Sequence, residues 1–220
     1  MAGPQCCSNP PILNPSYGVD CAEKLGGLNV YAAGSTDSKL AIVLVSDVFG
    51  YRAPNLRKLV KSDCINYVLN VSCFELPRIE DKGFEDAKSI INALKEKGYS
   101  AIGAAGFCWG GKVVTELAKS DFVQAAVLLH PSFVALDDIE GVKVPMAVLG
   151  AEIDEYSPLE LLKQFEEILA AKSEIDSYVK IFPKAEHGWT VRYNVEDEAA
   201  VKRAEEAHNN MIDWFSKNVK

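Results

Sequence analysis

The chain has 220 residues, 48% hydrophobic and 25% charged, a composition typical of one fairly large globular domain. Its net charge of −8 and the lack of a basic run argue against binding to nucleic acid or an anionic membrane. No apolar run approaches the ~20 residues of a membrane-spanning helix, and the first residues lack the basic-then-apolar order of a secretory leader. We therefore expect no nucleic-acid partner and no membrane partner.

Six cysteines lie at positions 6, 7, 21, 64, 73 and 108, without Cys-x-x-Cys spacing and without clustered histidines. That distribution favours reduced thiols in a cytoplasmic protein over a disulfide framework. Cys6 and Cys7 are adjacent in a proline-rich segment, where incidental thiols are the simpler interpretation and a redox or metal role is the alternative. We predict an irregular lead-in at residues 1–25 and, because no linker divides the rest, a single domain at 26–220.

Strands and helices are predicted to alternate along this domain. In chain order, the pattern predicts an edge strand at 27–34, a buried strand at 40–47, a helix at 54–61 and an amphipathic helix that ends before Gly98. Then come a strand at 100–107, a helix at 111–120, strands at 122–130 and 144–152, a helix at 158–171, a strand at 177–182 and a long C-terminal helix. Several strands are apolar throughout, as strands buried on both faces are. The sequence therefore predicts an α/β fold, a mostly parallel sheet with helices on both faces.

The segment GFCWGG, residues 106–111, connects one of these strands to the following helix. Its Gly106-x-Cys108-x-Gly110 spacing is that of a nucleophile elbow, a strained turn that lifts a nucleophile above the sheet. A thiol at the N-terminus of a helix is also favoured as the thiolate by the helix dipole. The motif alone leaves open a buried thiol in a tight turn, and it lacks the Gly-x-Gly-x-x-Gly spacing of a dinucleotide-binding loop.

An acid and a histidine follow Cys108 in the order of an α/β-hydrolase triad. Asp154 comes after the strand at 144–152, and His187 comes after the strand at 177–182. His187 could instead be a surface histidine, but the other two histidines are less well placed. We expect His130 to be a hydrogen-bonded structural residue and His208 to be exposed on the C-terminal helix. The order therefore favours Cys108 as nucleophile, Asp154 as orienting acid and His187 as base.

Asp47 closes the buried strand at 40–47 and enters a turn. Its carboxylate could hold the proton of the thiol or steer a charged substrate. Aspartate at such a position more often caps a turn or a helix, and the residues alone leave both interpretations open.

Four segments, VSDVFGY, GFCWGGK, LGAEIDEYSP and AEHGWTVRY, occur in an order that resembles the dienelactone hydrolase family of α/β-hydrolases. The opening CCSNPP is most similar to its plant members, and the resemblance covers residues 20–60 and 82–217. It implies an α/β-hydrolase-like fold and hydrolysis of a small-molecule ester or lactone. It also implies a triad of Cys108, Asp154 and His187. We further expect no cofactor and a monomer or weak homodimer.

The same resemblance implies four substrate-binding residues. Asp47 stands where bacterial members have a glutamate that interacts with the nucleophile. The backbone N–H groups of Val48 and Trp109 would form the oxyanion hole, and Arg192 lies near the position of an arginine that binds the substrate carboxylate.

One region departs from the family, because the segment around residues 61–81 is shorter than in its members. This leaves open whether one strand of the sheet and the segment that covers the site are lacking, although residues 66–71 can form a strand. A folded but catalytically impaired module that binds a ligand or a partner is therefore one alternative. Another is a β-glucanase-type glycoside hydrolase, a name that some plant relatives carry, with Asp47, Glu152 and Asp154 as candidate carboxylates.

Overall fold

A computed structural model of the protein describes residues 5, 10–11, 22–34, 38–50, 53–60, 67–71 and 79–220. Its centre is an eight-stranded sheet in the order β1-β2-β4-β3-β5-β6-β7-β8. The strands are β1 (Ala22–Leu25), β2 (Leu28–Gly34), β3 (Leu40–Val45), β4 (Tyr67–Val71), β5 (Ala101–Phe107), β6 (Ala125–Leu129), β7 (Met146–Ile153) and β8 (Ser177–Glu186). The helices are α1 (Pro54–Val60), α2 (Ile79–Glu96), α3 (Gly110–Ala118), α4 (Leu136–Glu140), α5 (Leu159–Ala171) and α6 (Glu198–Asn218).

The strand directions place the loops that carry the candidate site residues at one edge of the sheet. Strand β2 runs antiparallel to both of its neighbours, β1 and β4. From β4 through β3 to β8, every neighbouring pair is parallel. The carboxyl ends of β3, β5, β6, β7 and β8 therefore meet at the same edge, where open α/β sheets bind their ligands.

The central strands are apolar throughout because both of their faces are covered. In β3, Val43 and Val45 pack in the core layer of α2, α3 and α5, whereas Ile42 and Leu44 pack in the layer of α1 and α6. Successive side chains of a strand point to opposite faces, so a strand that is buried on both sides has no polar face. The prediction of an α/β fold with helices on both faces is confirmed. Within the described ranges, no helix is both long enough and apolar enough to cross a bilayer.

The amino-terminal part of the sheet differs from the prediction in two ways. Ala22–Leu25, placed in the irregular lead-in, forms β1, and residues 27–34 are therefore not an edge strand. The two strands are joined through Gly26 and Gly27, whose φ angles of 57° and 82° suit the tight turn of a hairpin. The extent of the single domain stays a prediction.

The strand that the sequence left in doubt is present. Tyr67–Val71 forms β4, which pairs antiparallel with β2 and parallel with β3. The short segment around residues 61–81 therefore still contributes a strand to the sheet. The predicted loss of the site-covering segment falls mainly on residues 61–66 and 72–78, which lie outside the described residues. The same holds for five of the six cysteines, and Cys108 is the exception.

Candidate active site

Cys108 lies at the sharp turn between β5, which ends at Phe107, and α3, which begins at Gly110. Its φ of 54° is a left-handed conformation that residues with a side chain seldom adopt. Close contacts explain the flanking glycines: a Cβ at Gly106 would lie 2.1 Å from the carbonyl oxygen of Gly110, and a Cβ at Gly110 would lie 2.2 Å from that of Val45. The turn has the geometry of a nucleophile elbow, and its thiol is buried.

The parallel strands β7 and β8 bring Asp154 and His187 together. His187 Nδ1 lies 2.7 Å from Asp154 Oδ2, and both side chains are fully buried. Because a carboxylate can only accept, Nδ1 carries the hydrogen and Nε2 is left to accept a proton. The second carboxylate oxygen accepts hydrogen bonds from the N–H groups of Tyr156, at 2.9 Å, and Ser157, at 3.4 Å. Asp154 is thereby fixed as a partner for the histidine.

The surroundings of His187 stabilise its protonated form. Burial is the largest single influence and by itself lowers the pKa of the imidazole, because it disfavours charge. The hydrogen bonds and charges of Asp154 and Cys108 together outweigh burial and raise the pKa of His187 to about 9. The imidazole is therefore suited to take up a proton from a neighbouring group such as the thiol.

Ser132 completes this cluster, and sequence reasoning missed it. Its Oγ lies 3.5 Å from Cys108 Sγ and 3.5 Å from His187 Nε2, and the residue is fully buried. Its backbone N–H also donates to the carbonyl oxygen of Cys108 at 2.9 Å. Ser132 follows β6 in the loop at the carboxyl edge of the sheet, and that position is the feature of the sequence that could have identified it.

Asp47 and Arg192 form a second buried pair at this edge. Arg192 Nε lies 3.3 Å from Asp47 Oδ2, with side-chain exposures of 1% and 0%. The carboxylate also accepts a hydrogen bond from the N–H of Phe49 at 3.0 Å, so Asp47 caps its turn as the simpler interpretation has it. Burial raises the pKa of Asp47, and the charge of Arg192 and the bond from Phe49 offset burial only in part. Arg192 thus has a partner inside the protein, and its contact with a substrate carboxylate stays a prediction.

The two predicted oxyanion donors follow neighbouring strands. Val48 comes after β3, and Trp109 lies between Cys108 and the first residue of α3. Neither backbone N–H donates to a carbonyl oxygen elsewhere in the described part of the chain. Both groups therefore remain able to bind a substrate oxygen, and their role stays a prediction.

The two remaining histidines are structural. His130 Nε2 lies 2.8 Å from Thr190 Oγ1, as expected of a hydrogen-bonded residue, and its ring meets that of His187 edge-on at 5.1 Å. The expectation that His208 is exposed was wrong, because its Nε2 donates to the carbonyl oxygen of Thr190 at 2.9 Å and the side chain is buried. His208 precedes the buried Met211 by three residues, so both lie on the core-facing side of α6.

Comparison with known proteins gives the same picture. The family model described as the dienelactone hydrolase family matches residues 73–219. A maize protein named endo-1,3;1,4-beta-D-glucanase is 35% identical over 194 residues, which cover 78% of this chain but 63% of the maize protein, less than two thirds of its length. The carboxymethylenebutenolidase homolog of Xenopus tropicalis is 29% identical over 211 residues, 84% of each chain.

Solved structures share the architecture. A protein assigned as a dienelactone hydrolase from Klebsiella pneumoniae has a TM-score of 0.68 at 17% identity, over 86% of this chain and 92% of that one. An esterase from Pyrococcus furiosus has a TM-score of 0.66 at 13% identity, over 95% and 98% of the two chains. At such identities the likeness concerns the fold alone, whereas the family model covers more than half of the sequence. The chain belongs to the dienelactone hydrolase family and has the α/β-hydrolase fold.

Proposed function

We propose that this protein cleaves a small ester or lactone through a Cys108–His187–Asp154 triad and a thioester intermediate. One observation carries the proposal. A cysteine in a left-handed strand-to-helix turn and a buried histidine–aspartate pair meet at the same edge of the sheet. The membership of a hydrolase family and the esterases among the similar folds agree with it.

The reaction begins with transfer of the thiol proton of Cys108 to His187 Nε2. The thiolate attacks the carbonyl carbon, and the N–H groups of Val48 and Trp109 stabilise the oxyanion, each by roughly 3 kcal/mol. The tetrahedral species collapses, and the leaving alkoxide takes the proton from His187, which leaves a thioester on Cys108. A water molecule, with His187 as general base, then attacks the thioester and restores the thiol.

The Asp47–Arg192 pair bears on the choice of substrate. A substrate carboxylate would have to compete with Asp47 for a guanidinium that is already buried and paired. This favours uncharged esters and lactones as the first compounds to test.

Glycoside hydrolysis is less well supported, although the maize relative is named a glucanase. That chemistry generally needs two carboxyl groups that flank the scissile bond. Asp154 is bound to His187 and Asp47 is paired with Arg192. Glu152 accepts a hydrogen bond from the N–H of Lys184 at 2.6 Å. Each of the three candidates thus has another partner.

The alternative of an impaired binding module rested on the short segment around residues 61–81. Strand β4 within that segment joins β2 to β3 in the sheet, and His187 and Asp154 keep a contact of 2.7 Å that suits catalysis. These observations favour the enzyme over the binding module.

The test is a hydrolysis screen of small activated esters and lactones with the unaltered protein and with Cys108→Ala. We expect the variant to lose turnover to the background rate while it keeps its thermal unfolding transition. Thr115→Ala is a matched control, since it removes a buried hydroxyl that bonds to Gly111 on the same helix, and it should keep turnover. Unchanged turnover in Cys108→Ala would contradict the proposal.

A further inference from the structure

The loop after β6 holds strained backbone at both ends of a short segment. His130 has a φ of 39° and Phe133 a φ of 63°. Among the described residues, four that are not glycine have positive φ, and three of them, Cys108, His130 and Phe133, lie at this site. Such conformations cost free energy and persist where the surrounding structure requires them. The surrounding structure therefore fixes the position of Pro131 and Ser132, which lie between these two residues.

The loop is held from both sides so that Ser132 meets the reactive groups. Its backbone N–H donates to the carbonyl oxygen of Cys108 at 2.9 Å. From behind, the Ser157 hydroxyl donates to the carbonyl oxygen of Pro131 at 2.8 Å. The Ser132 hydroxyl then lies 3.5 Å from Cys108 Sγ and 3.5 Å from His187 Nε2.

The hydrogen-bonding capacities along this line are complementary. Asp154 accepts a hydrogen bond from the Nδ1–H of His187, so Nε2 is the nitrogen that faces Ser132 and can receive the thiol proton. A serine hydroxyl can donate one hydrogen bond and accept others at the same time. The Ser132 hydroxyl can therefore accept from the thiol of Cys108 and can donate to the sulfur once the thiol has passed its proton to Nε2.

We propose that Ser132 stabilises the thiolate of Cys108 by donating a hydrogen bond from its hydroxyl to the sulfur; the inference rests on the proposed role of Cys108 as nucleophile. The S–H bond of Cys108 breaks as its proton binds His187 Nε2, to which the thiol side chain is hydrogen-bonded, and the Ser132 hydroxyl turns its hydrogen towards the sulfur. The products are a thiolate, an intact serine hydroxyl that now donates to the sulfur, and an imidazolium paired with Asp154. The net charge of the cluster does not change.

Removal of the hydroxyl should make the thiolate harder to form. A buried anion that loses a hydrogen-bond donor is left with an uncompensated charge, so the apparent pKa of the thiol should rise. We expect the alkylation rate of Cys108 near neutral pH to fall by about tenfold or more. A residue that served only to pack the loop would change the stability and leave this pH profile where it was.

The experiment measures the rate at which iodoacetamide alkylates Cys108 from about pH 5 to about pH 10, with peptide mass spectrometry to separate it from the other cysteines. The chains compared are the unaltered protein, Ser132→Ala, His187→Ala and the matched control Thr115→Ala, with Ser132→Gly as a second variant that also lacks the hydroxyl. Thr115→Ala removes a buried hydroxyl that donates to the carbonyl oxygen of Gly111 within α3.

We expect Ser132→Ala and Ser132→Gly to shift the profile to higher pH, and Thr115→Ala to leave it unchanged. The proposal is overturned if the Ser132 variants keep the profile of the unaltered protein, or if Thr115→Ala shifts it equally. Failure of the triad itself would look different. In that case Cys108 of the unaltered protein would react only at the high pH of an ordinary thiol, and His187→Ala would change nothing.

Discussion

Two buried acid–base pairs lie at the same edge of the sheet, and each takes its base from the loop after β8. In one, His187 Nδ1 and Asp154 Oδ2 are 2.7 Å apart. In the other, Arg192 Nε and Asp47 Oδ2 are 3.3 Å apart. Both pairs are almost completely shielded from water. They differ in the ability of the base to exchange a proton, because imidazole titrates near neutral pH and guanidinium stays charged.

The pKa values follow this difference. His187 has a pKa raised to about 9, since the hydrogen bonds of Asp154 and Cys108 outweigh burial. Asp47 has a pKa raised by burial even though a guanidinium is beside it. The first pair is therefore arranged to take up and release a proton, whereas the second carries a permanent cation and anchors the loop. Substitutions in the His187–Asp154 pair should therefore lower mainly the rate of hydrolysis, and substitutions in the Arg192–Asp47 pair should lower mainly the free energy of unfolding.

The largest expected effect is on catalysis by Asp154→Asn. The amide should favour the wrong tautomer of His187, so hydrolysis of a small ester should fall by about 10³–10⁴-fold. The measurement is kcat/KM on the best substrate from the screen. Asp197→Asn, which alters a carboxylate that caps α6 far along the chain, is the control and should stay near the unaltered rate. A loss below tenfold in Asp154→Asn would remove the distinction between the two pairs.

The next effect is an asymmetry in stability between Asp47→Asn and Arg192→Met. Asp47→Asn leaves a guanidinium buried without a carboxylate, which should cost about 3–5 kcal/mol. Arg192→Met should cost less, because the Asp47 carboxyl, whose pKa burial already raises, can take up a proton. Urea unfolding at neutral pH measures both values, and the reverse order would show that Asp47 is not the adaptable partner.

A third effect concerns the dependence of stability on pH. The folded-state pKa of His187 is about 9 against an ordinary 6.5, so the folded chain holds this proton more tightly than the unfolded chain does. The stabilisation is fully present below the unfolded pKa and is lost as the pH rises through the folded pKa, a change of about 3 kcal/mol. Chemical unfolding at a series of pH values should show this decline, and His187→Gln should flatten it. An equally steep decline in His187→Gln would assign it to other groups.

The smallest effect concerns the aromatic ring beside Arg192. The guanidinium carbon lies 5.4 Å from the centre of the Phe49 ring, within range of a cation–π contact. Phe49→Leu keeps an apolar side chain but removes the ring, and its coupling with Arg192→Met in a double-mutant cycle should be about 0.5–1 kcal/mol. Phe133→Leu, at a ring that packs on Tyr156, is the control and should show no coupling. Zero coupling for Phe49 would mean that Asp47 alone holds the guanidinium.

The sequence predicted the fold well where burial leaves a plain pattern. Strands β3 and β5 to β7 are largely apolar because helices cover both of their faces. Their apolar runs could therefore be told apart from the amphipathic helices that alternate with them. Strand β1 was missed because four residues are too few to show a pattern in the sequence. Its clue was the pair Gly26 and Gly27, which form the hairpin turn.

The site was predictable where a motif or an order along the chain marks it. A motif marks the turn Gly106-x-Cys108-x-Gly110, and order along the chain marks Asp154 and His187. The structure brings Asp154 and His187 into contact. Ser132 belongs to no motif of characteristic spacing, and only its position in the loop after β6 could have drawn attention to it. The pairing of Asp47 with Arg192 depends on the folded arrangement of distant loops. Neither feature has a local pattern in the sequence.

The most direct test of the account is to trap the acyl-enzyme. The protein is mixed with an activated ester, quenched in acid, digested, and the peptides are weighed by mass spectrometry. The account predicts an acyl group on Cys108 that is lost in Cys108→Ala and forms much more slowly in His187→Ala. Turnover without any acyl group on Cys108, or an acyl group on Ser132 instead, would contradict it.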